Sequence, residues 1–238
     1  MKAPIAKKID KTLKLHGDTR IDSYFWMNEK ENPEVIAHLD AENTYCDFMM
    51  QDTEDLQNNL YDEMKARYKK DDESLPYFFN EYWYIVRHED GKEYPIFCRK
   101  HQNLEAEEEI LLNVNVLAEG QEFLDVGSVS VSPNNELLSF STDFIGRRVY
   151  SIFFKNLKTG ELYQDIIPNT TGKAVWANDN LHVFYIRKDE SLRAFQVYMH
   201  QLGTDSSQDI LVFHEEDDTF DVNVFKTKSQ DYIFIASS

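Results

Sequence analysis

Little in this sequence points to chemistry, and each shortage excludes something. Only two of its 238 residues are cysteines, Cys46 and Cys98. Two thiols in a chain of this length do not make a disulfide framework and suit a reducing compartment. Positive charge is scarce: 25 Lys and Arg face 43 Asp and Glu, for a net charge of −18. Nucleic-acid surfaces need clustered cations, so none is expected. The acidity is compatible with cationic ligands. The plainer expectation is a cytoplasmic protein kept in solution by its charge. No apolar run approaches the length of a membrane span. Lysines interrupt the N-terminal MKAPIAKKIDKTLKLHG, so no signal peptide is expected. Asn169-Thr170-Thr171 has the spacing of a glycosylation sequon but lacks a secretory context.

The eight glycines are scattered. No two have the spacing of a dinucleotide or phosphate-binding loop, and there is no G-x-S-x-G elbow to hold a hydrolase serine. The seven histidines, His16, His38, His88, His101, His182, His200 and His214, show no zinc spacing. They are expected at the surface or as caps. No catalytic, cofactor-binding or metal residue is assigned, and no cofactor is expected.

What is present is a repeat. Hydrophobic residues make up 42% and aromatics 13% of the chain, enough for a core. Val129–Thr170 and Ala174–Asp217 share one layout of short apolar strands, turns and polar links. Val131, Trp176 and Val224 begin matching segments roughly 45 residues apart, the period of a four-stranded propeller blade. Turn residues punctuate the repeat at Ser132-Pro133-Asn134-Asn135 and Lys158-Thr159-Gly160. Leu137–Thr142 alternates as a strand with two unlike faces. Ahead of it, Tyr82–Arg87 and Glu93–Arg99 read as strands joined at Asp90-Gly91, a two-residue hairpin signal. Glu105–Glu109 follows as an acidic loop and Ile110–Val116 as a further strand. Pro76 to about Ala118 is thus one more, divergent blade.

The first part reads as helical. Asn32-Pro33 is a helix start, with Asn as N-cap and Pro in the first turn. Val35, Ile36, Leu39, Cys46, Met49 and Met50 then form one apolar stripe. A second helix begins near Thr53, with Leu56, Leu60, Met64 and Tyr68 four apart. The expected architecture is mainly β: a helical N-terminal extension over residues 1–75, then an incomplete β-propeller of about three blades over 76–238. Such repeats bury their faces only against neighbours, so a chain that stops inside one is expected to be part of something larger.

Four clusters have a functional reading. Glu105–Glu109 with Glu215-Glu216-Asp217-Asp218 could line a channel that attracts cationic peptides; solvated loops are the plainer expectation. Arg147-Arg148 could clamp a carboxylate; an edge pair bridged to local acids is plainer. Tyr82, Trp83, Tyr84 and Trp176 could stack a ligand, but strand aromatics in repeats are usually core between blades. Met49, Met50 and Met64 could form a soft groove; core or docking filler is plainer.

Arg20-Ile21-Asp22-Ser23-Tyr24-Phe25-Trp26-Met27 resembles the N-terminal segment of prolyl oligopeptidase-type serine peptidases. Leu39–Tyr45, Glu63–Arg67, Tyr82-Trp83-Tyr84 and Gly91–Arg99 narrow the resemblance to the oligopeptidase B (protease II) group. Asp125–Pro133, Gly146–Tyr150, Val175-Trp176-Ala177 and Tyr185–Tyr198 continue it. The resemblance covers nearly the whole chain in order. It implies an N-terminal extension and the first blades of a seven-bladed propeller, with the α/β-hydrolase domain and its triad lying outside this sequence. The implied parent is a cytoplasmic serine endopeptidase that cuts short peptides after Arg or Lys, its propeller gating substrate size. The chain itself is then inactive. Its implied partners are the C-terminal hydrolase domain, which Ile36, Leu39 and Met50 face, and the parent's short basic peptides. Open blade edges make self-association of the chain an expectation. The alternative is a standalone propeller-like interaction module without enzymatic activity.

Overall fold

The computed structural model describes residues 1–238, which divide into two units, Met1–Lys69 and Lys70–Ser238. The first unit opens on a hairpin where helix was expected: β1 (Lys11–Leu15) pairs antiparallel with β2 (Asp18–Asp22). His16 and Gly17 between them both have positive φ, 51° and 81°, the two-residue turn that matches strand twist. Further on, α1 (Pro33–Met50) starts where the sequence signals it. The Asn32 side chain accepts the Glu34 N–H, and Pro33 occupies the first turn. After a 3₁₀ turn at Gln51–Thr53, α2 runs Glu54–Ala66. The apolar stripe is present, but in α1 only Val35 is buried and in α2 nothing is. Ile36, Leu39, Met49, Met50 and Met64 are exposed. The methionines are therefore not core filler in this chain.

The second unit is a succession of antiparallel meanders. In the first, β3 (Asp72–Glu73) and β4 (Tyr77–Phe79) both pair with β5 (Tyr82–His88), followed by β6 (Ile96–His101) and β7 (Glu108–Asn113). Three details depart from the sequence reading. The β5–β6 connection is not a two-residue hairpin, because the return strand starts at Ile96, opposite Arg87. Tyr94 is held off the ladder by the Asn115 side chain, which accepts its N–H and donates to its carbonyl. Pro95 has no N–H to give. Glu108 and Glu109 lie in β7 rather than in an acidic loop. Their cross-strand neighbours are cations, and Glu108 pairs with Arg87 at 2.9 Å and Glu109 with Arg99 at 2.7 Å. Lastly, the strand predicted to reach Val116 ends at Asn113, whose side chain accepts the Asn115 N–H and starts the single turn α3 (Val114–Leu117).

Next come β8 (Asp125–Val131), β9 (Leu137–Asp143), β10 (Tyr150–Asn156) and β11 (Leu162–Trp176). Of these, β11 is shared. Its first half pairs with β10 as far as Thr170, which also lies opposite Arg187 of β12 (His182–Lys188), and after an irregularity the pairing with β12 resumes at Ala174. The repeat boundary read from the sequence falls inside this 15-residue strand. The third meander continues through β13 (Ala194–Gln201) and β14 (Ile210–His214), and β15 (Val222–Lys226) with β16 (Ile233–Ser237) begin a fourth. Val131 and Trp176 end β8 and β11 rather than begin their segments, and the turn that follows each recurs after Lys226, two residues beyond Val224, so the period holds with a small shift in the last blade.

The hydrophobic core is not one body but a layer between each pair of blades. Leu111 and Leu112 meet Leu138 and Phe140 between blades one and two. Phe154, Ile167 and Trp176 pack with Val183 and Tyr185 between two and three. Val175, Ile186 and Val197 meet Val222 and Val224 at the next layer. A middle strand is thus covered twice. β9 has the two unlike faces expected of it, yet Leu138, Ser139, Phe140, Ser141, Thr142 and Asp143 are all buried.

Cys98 sits inside the first blade, and burial pushes its thiol up to about 11, helped by the Glu108 charge. Cys46 is exposed on α1. The thiolate is the reactive form. An aromatic disulfide reagent at pH 8 is therefore expected to modify one thiol per native chain rapidly, and none in Cys46→Ser. Two fast thiols would contradict the burial of Cys98.

Candidate binding cleft

The turns that close the innermost strands follow one pattern. Asn80, Asn135, Asn180 and Gln230 each adopt positive φ, between 46° and 65°. Asn tolerates this region because its short side chain bonds locally. These turns are joined from blade to blade. Asn80 Nδ2 donates to the Pro133 carbonyl at 2.7 Å, and Asn135 Nδ2 donates back to the Asn80 carbonyl at 3.1 Å. The Asn134 N–H donates to Asn180 Oδ1 at 2.8 Å. Asn178 Nδ2 donates to the Gln230 carbonyl at 2.8 Å. Four innermost strands are thereby set side by side.

Between them lies a cleft of about 510 Å³, lined by Phe79, Ser128–Val131, Lys173–Trp176, Phe225 and Lys226. Trp176 forms part of the wall, its Nε1 donating to the Ser130 carbonyl at 3.2 Å and its ring edge-on to Phe154. The two lysines supply the cleft's charge. Lys173 Nζ donates to Asn223 Oδ1 at 3.2 Å and Lys226 Nζ to Asn178 Oδ1 at 2.5 Å. Burial lowers the pKa of each. The hydroxyls of Ser128 and Ser130 bond no histidine or carboxylate. The cleft thus has the means to bind and orient, but no nucleophile paired with a base.

A second polar cluster is centred on a buried histidine. The sequence reading placed all seven histidines at the surface or as caps, but His200 on β13 is 0% exposed. Its Nδ1 lies 2.7 Å from Asp209 Oδ1 and its Nε2 3.5 Å from Asp165 Oδ2, a residue of the neighbouring blade. Its ring stacks on Phe154. Asp209 also accepts the Tyr185 hydroxyl at 2.7 Å. Burial first, and that bond second, raise the Tyr185 pKa. The contacts of His200 lie on β10, on β11 and in the link ahead of β14, so nothing local announces its burial. No group of three or more His, Cys, Asp or Glu is placed to hold a metal.

The clusters singled out in the sequence fall elsewhere. Neither acidic run lines the cleft. Arg147 and Arg148 form no ion pair, against the expected bridge to local acids. Their turn is organised by Asp143, which accepts the N–H groups of Ile145, Gly146 and Arg148. Burial opposes ionisation of Asp143, but these bonds prevail and hold its carboxyl below the usual range. Tyr84 and Trp176 are buried, the Arg99 guanidinium sits 4.0 Å over Tyr82, and Trp83 donates to the Gln102 carbonyl. The sequence reading missed Asn80, Asn178, Lys173 and Lys226. The one signal, for the asparagines alone, was the recurrence of Asn or Gln in the turn after each innermost strand; the lysines had none.

A family model described as the prolyl oligopeptidase N-terminal β-propeller domain matches residues 4–238. The chain is 39% identical to dipeptidyl aminopeptidase BI of Pseudoxanthomonas mexicana over 98% of its length, covering 35% of that protein. It is 35% identical to protease 2 of Moraxella lacunata over its full length, covering 36% of the relative. Oligopeptidase B from Leishmania major superposes on the whole chain with a TM-score of 0.93 at 33% identity, and 36% of that chain is covered. The sequence therefore spans about a third of the length of these relatives.

Proposed function

Because the chain belongs to the prolyl oligopeptidase family, as its N-terminal β-propeller domain, we propose that it is the non-catalytic portion of an oligopeptidase B-like serine endopeptidase. In this reading the parent cuts short peptides after Arg or Lys, and the propeller limits which peptides reach the active site. The observation that carries it is the full-length match to peptidases about three times longer, combined with a cleft that offers contacts but no nucleophile. The chemistry would come from a Ser-His-Asp arrangement in a C-terminal hydrolase domain. The exposed stripe of Ile36, Leu39 and Met50 is suited to rest on that domain. Two free thiols and no helix long and apolar enough to cross a membrane fit a cytoplasmic setting. The unpaired edge of β16 and the exposed Phe225–Phe234 pair favour self-association of the chain when it stands alone.

The 238-residue chain is expected to release nothing from an arginyl amide, whereas a longer parent turns it over and is stopped by a serine-directed reagent. Reagent-sensitive turnover by the short chain, or an inert parent, would overturn the reading. The 39% identity to a dipeptidyl aminopeptidase favours a second reading, removal of N-terminal dipeptides. A substrate with a blocked N-terminus separates the two, since only an endopeptidase cleaves it.

A further inference from the structure

Acids outnumber cations in this chain, and three of the blades' less exposed arginines have a carboxylate at hand. Arg87 meets Glu89 and Glu108, Arg99 meets Glu109, and Arg193 meets Asp189. Lys173 and Lys226 differ. Both line the same cleft, both are partly desolvated, and each is held only by an asparagine amide oxygen. No carboxylate contributes to the lowered pKa of either one; burial alone does. An ammonium group sheltered from water without a counter-charge is costly, and each of these keeps donors beyond the one its asparagine uses.

The surroundings narrow the ligand. Val129, Val131, Trp176 and Phe225 make apolar walls beside the two ammonium groups. β8 lies at the end of its sheet and β15 pairs only with β16, so each has an edge without a strand partner. Such edges offer backbone groups to an extended chain. We propose that Lys173 and Lys226 form a binding site for the C-terminal carboxylate of a peptide, whose last side chains lie against the Trp176 and Phe225 walls. The site would seat a substrate or product by its end, leaving the scissile bond to be presented elsewhere. The choice of a peptide as ligand rests on the peptidase reading; the anion preference does not.

The test is calorimetric titration of the 238-residue chain with an acetylated tetrapeptide ending in leucine, as the free acid and as the amide. The acid is expected to bind about tenfold more tightly, the size of one charge-assisted hydrogen bond. Lys173→Gln with Lys226→Gln removes that preference; Lys173→Arg with Lys226→Arg keeps it. Equal binding of acid and amide, no binding of either, or a preference that survives in the glutamine variant would overturn the proposal. So would inorganic phosphate binding more tightly than the peptide acid, which marks a site for free anions. If the glutamine variant melts early, Lys226→Gln alone is read instead and halves the preference or more. No bond is cleaved in this assay. An inactive parent would therefore leave a positive result standing, and a negative result would leave the parent's activity untouched.

Discussion

Gly172→Ala will destabilise the 70–238 unit by about 2–5 kcal/mol. Two costs add. Gly172 has φ +92°, and a side chain there is strained by roughly 1–2 kcal/mol. Its Cβ would also lie 2.9 Å from both Tyr150 Cγ and Ser141 Oγ, and overpacking of this kind costs roughly 1–3 kcal/mol. The ring of Tyr150 is the cause. It lies against Gly172 on β11 and against Gly127 on β8, where a Cβ would come within 2.8 Å of Tyr150 Cε1. Its hydroxyl donates to Asp125 Oδ2 at 2.5 Å, a bond that, with burial, pushes the phenol up to about 12. Gly127 has no unusual φ, so Gly127→Ala carries the packing cost alone. Removing the ring should relieve it, and Tyr150→Val combined with Gly127→Ala is expected to lose less than the sum of the single changes. Urea unfolding followed by near-ultraviolet circular dichroism reads each value. Strict additivity would show that the ring does not set the clearance.

Asp209→Ala should cost about 2–6 kcal/mol, because it leaves two buried hydrogen-bonding groups without a partner at roughly 1–3 kcal/mol each. The Asp209 side chain is 1% exposed, and two groups depend on it, His200 Nδ1 and the Tyr185 hydroxyl. Alanine would leave both buried side chains without their acceptor. Asp209→Asn keeps one acceptor oxygen and should cost less. The comparison that fixes the scale is Lys7–Glu34, an ion pair of similar length, 2.9 Å, with both side chains more than half exposed. Glu34→Gln there should change stability by no more than about 1 kcal/mol, because solvent screens the charges. If Asp209→Ala costs as little, the cluster around His200 is not the bonded network described above.

What could be read from the sequence was whatever is local. Asn32-Pro33 marks a helix start because the cap and the first turn are neighbours in the chain. Blade spacing is legible because each blade repeats its own turn. The β1–β2 hairpin escaped because its strands, KTLKL and DTRID, are short and charged and bury almost nothing; His16-Gly17 was the signal for it. The end of β7 at Asn113 escaped because valines favour strands, while one asparagine side chain decided for a helical turn. The cleft was illegible for a different reason. Its lysines come from β11 and β15, and the asparagines that hold them come from β15 and the turn after β11. Only the stacking of blades brings them together. His200 follows the same logic, with carboxylates on β11 and in the link before β14 meeting a residue that composition alone places outside.

The sharing of β11 has a mechanical consequence. Where one blade passes to the next through a loop, the seam is kept shut by side chains. At the third seam Arg193 Nη1 reaches across to the carbonyls of Asp217 and Phe220, and one substitution would loosen it. At the second seam there is no loop to loosen. The same run of backbone is hydrogen-bonded to β10 at one end and to β12 at the other, and Thr170 lies in both ladders, so prising those blades apart means breaking the pairing of one continuous strand at its junction. If the wall of this propeller ever parts to admit a peptide, it will part beside that weld and not along it.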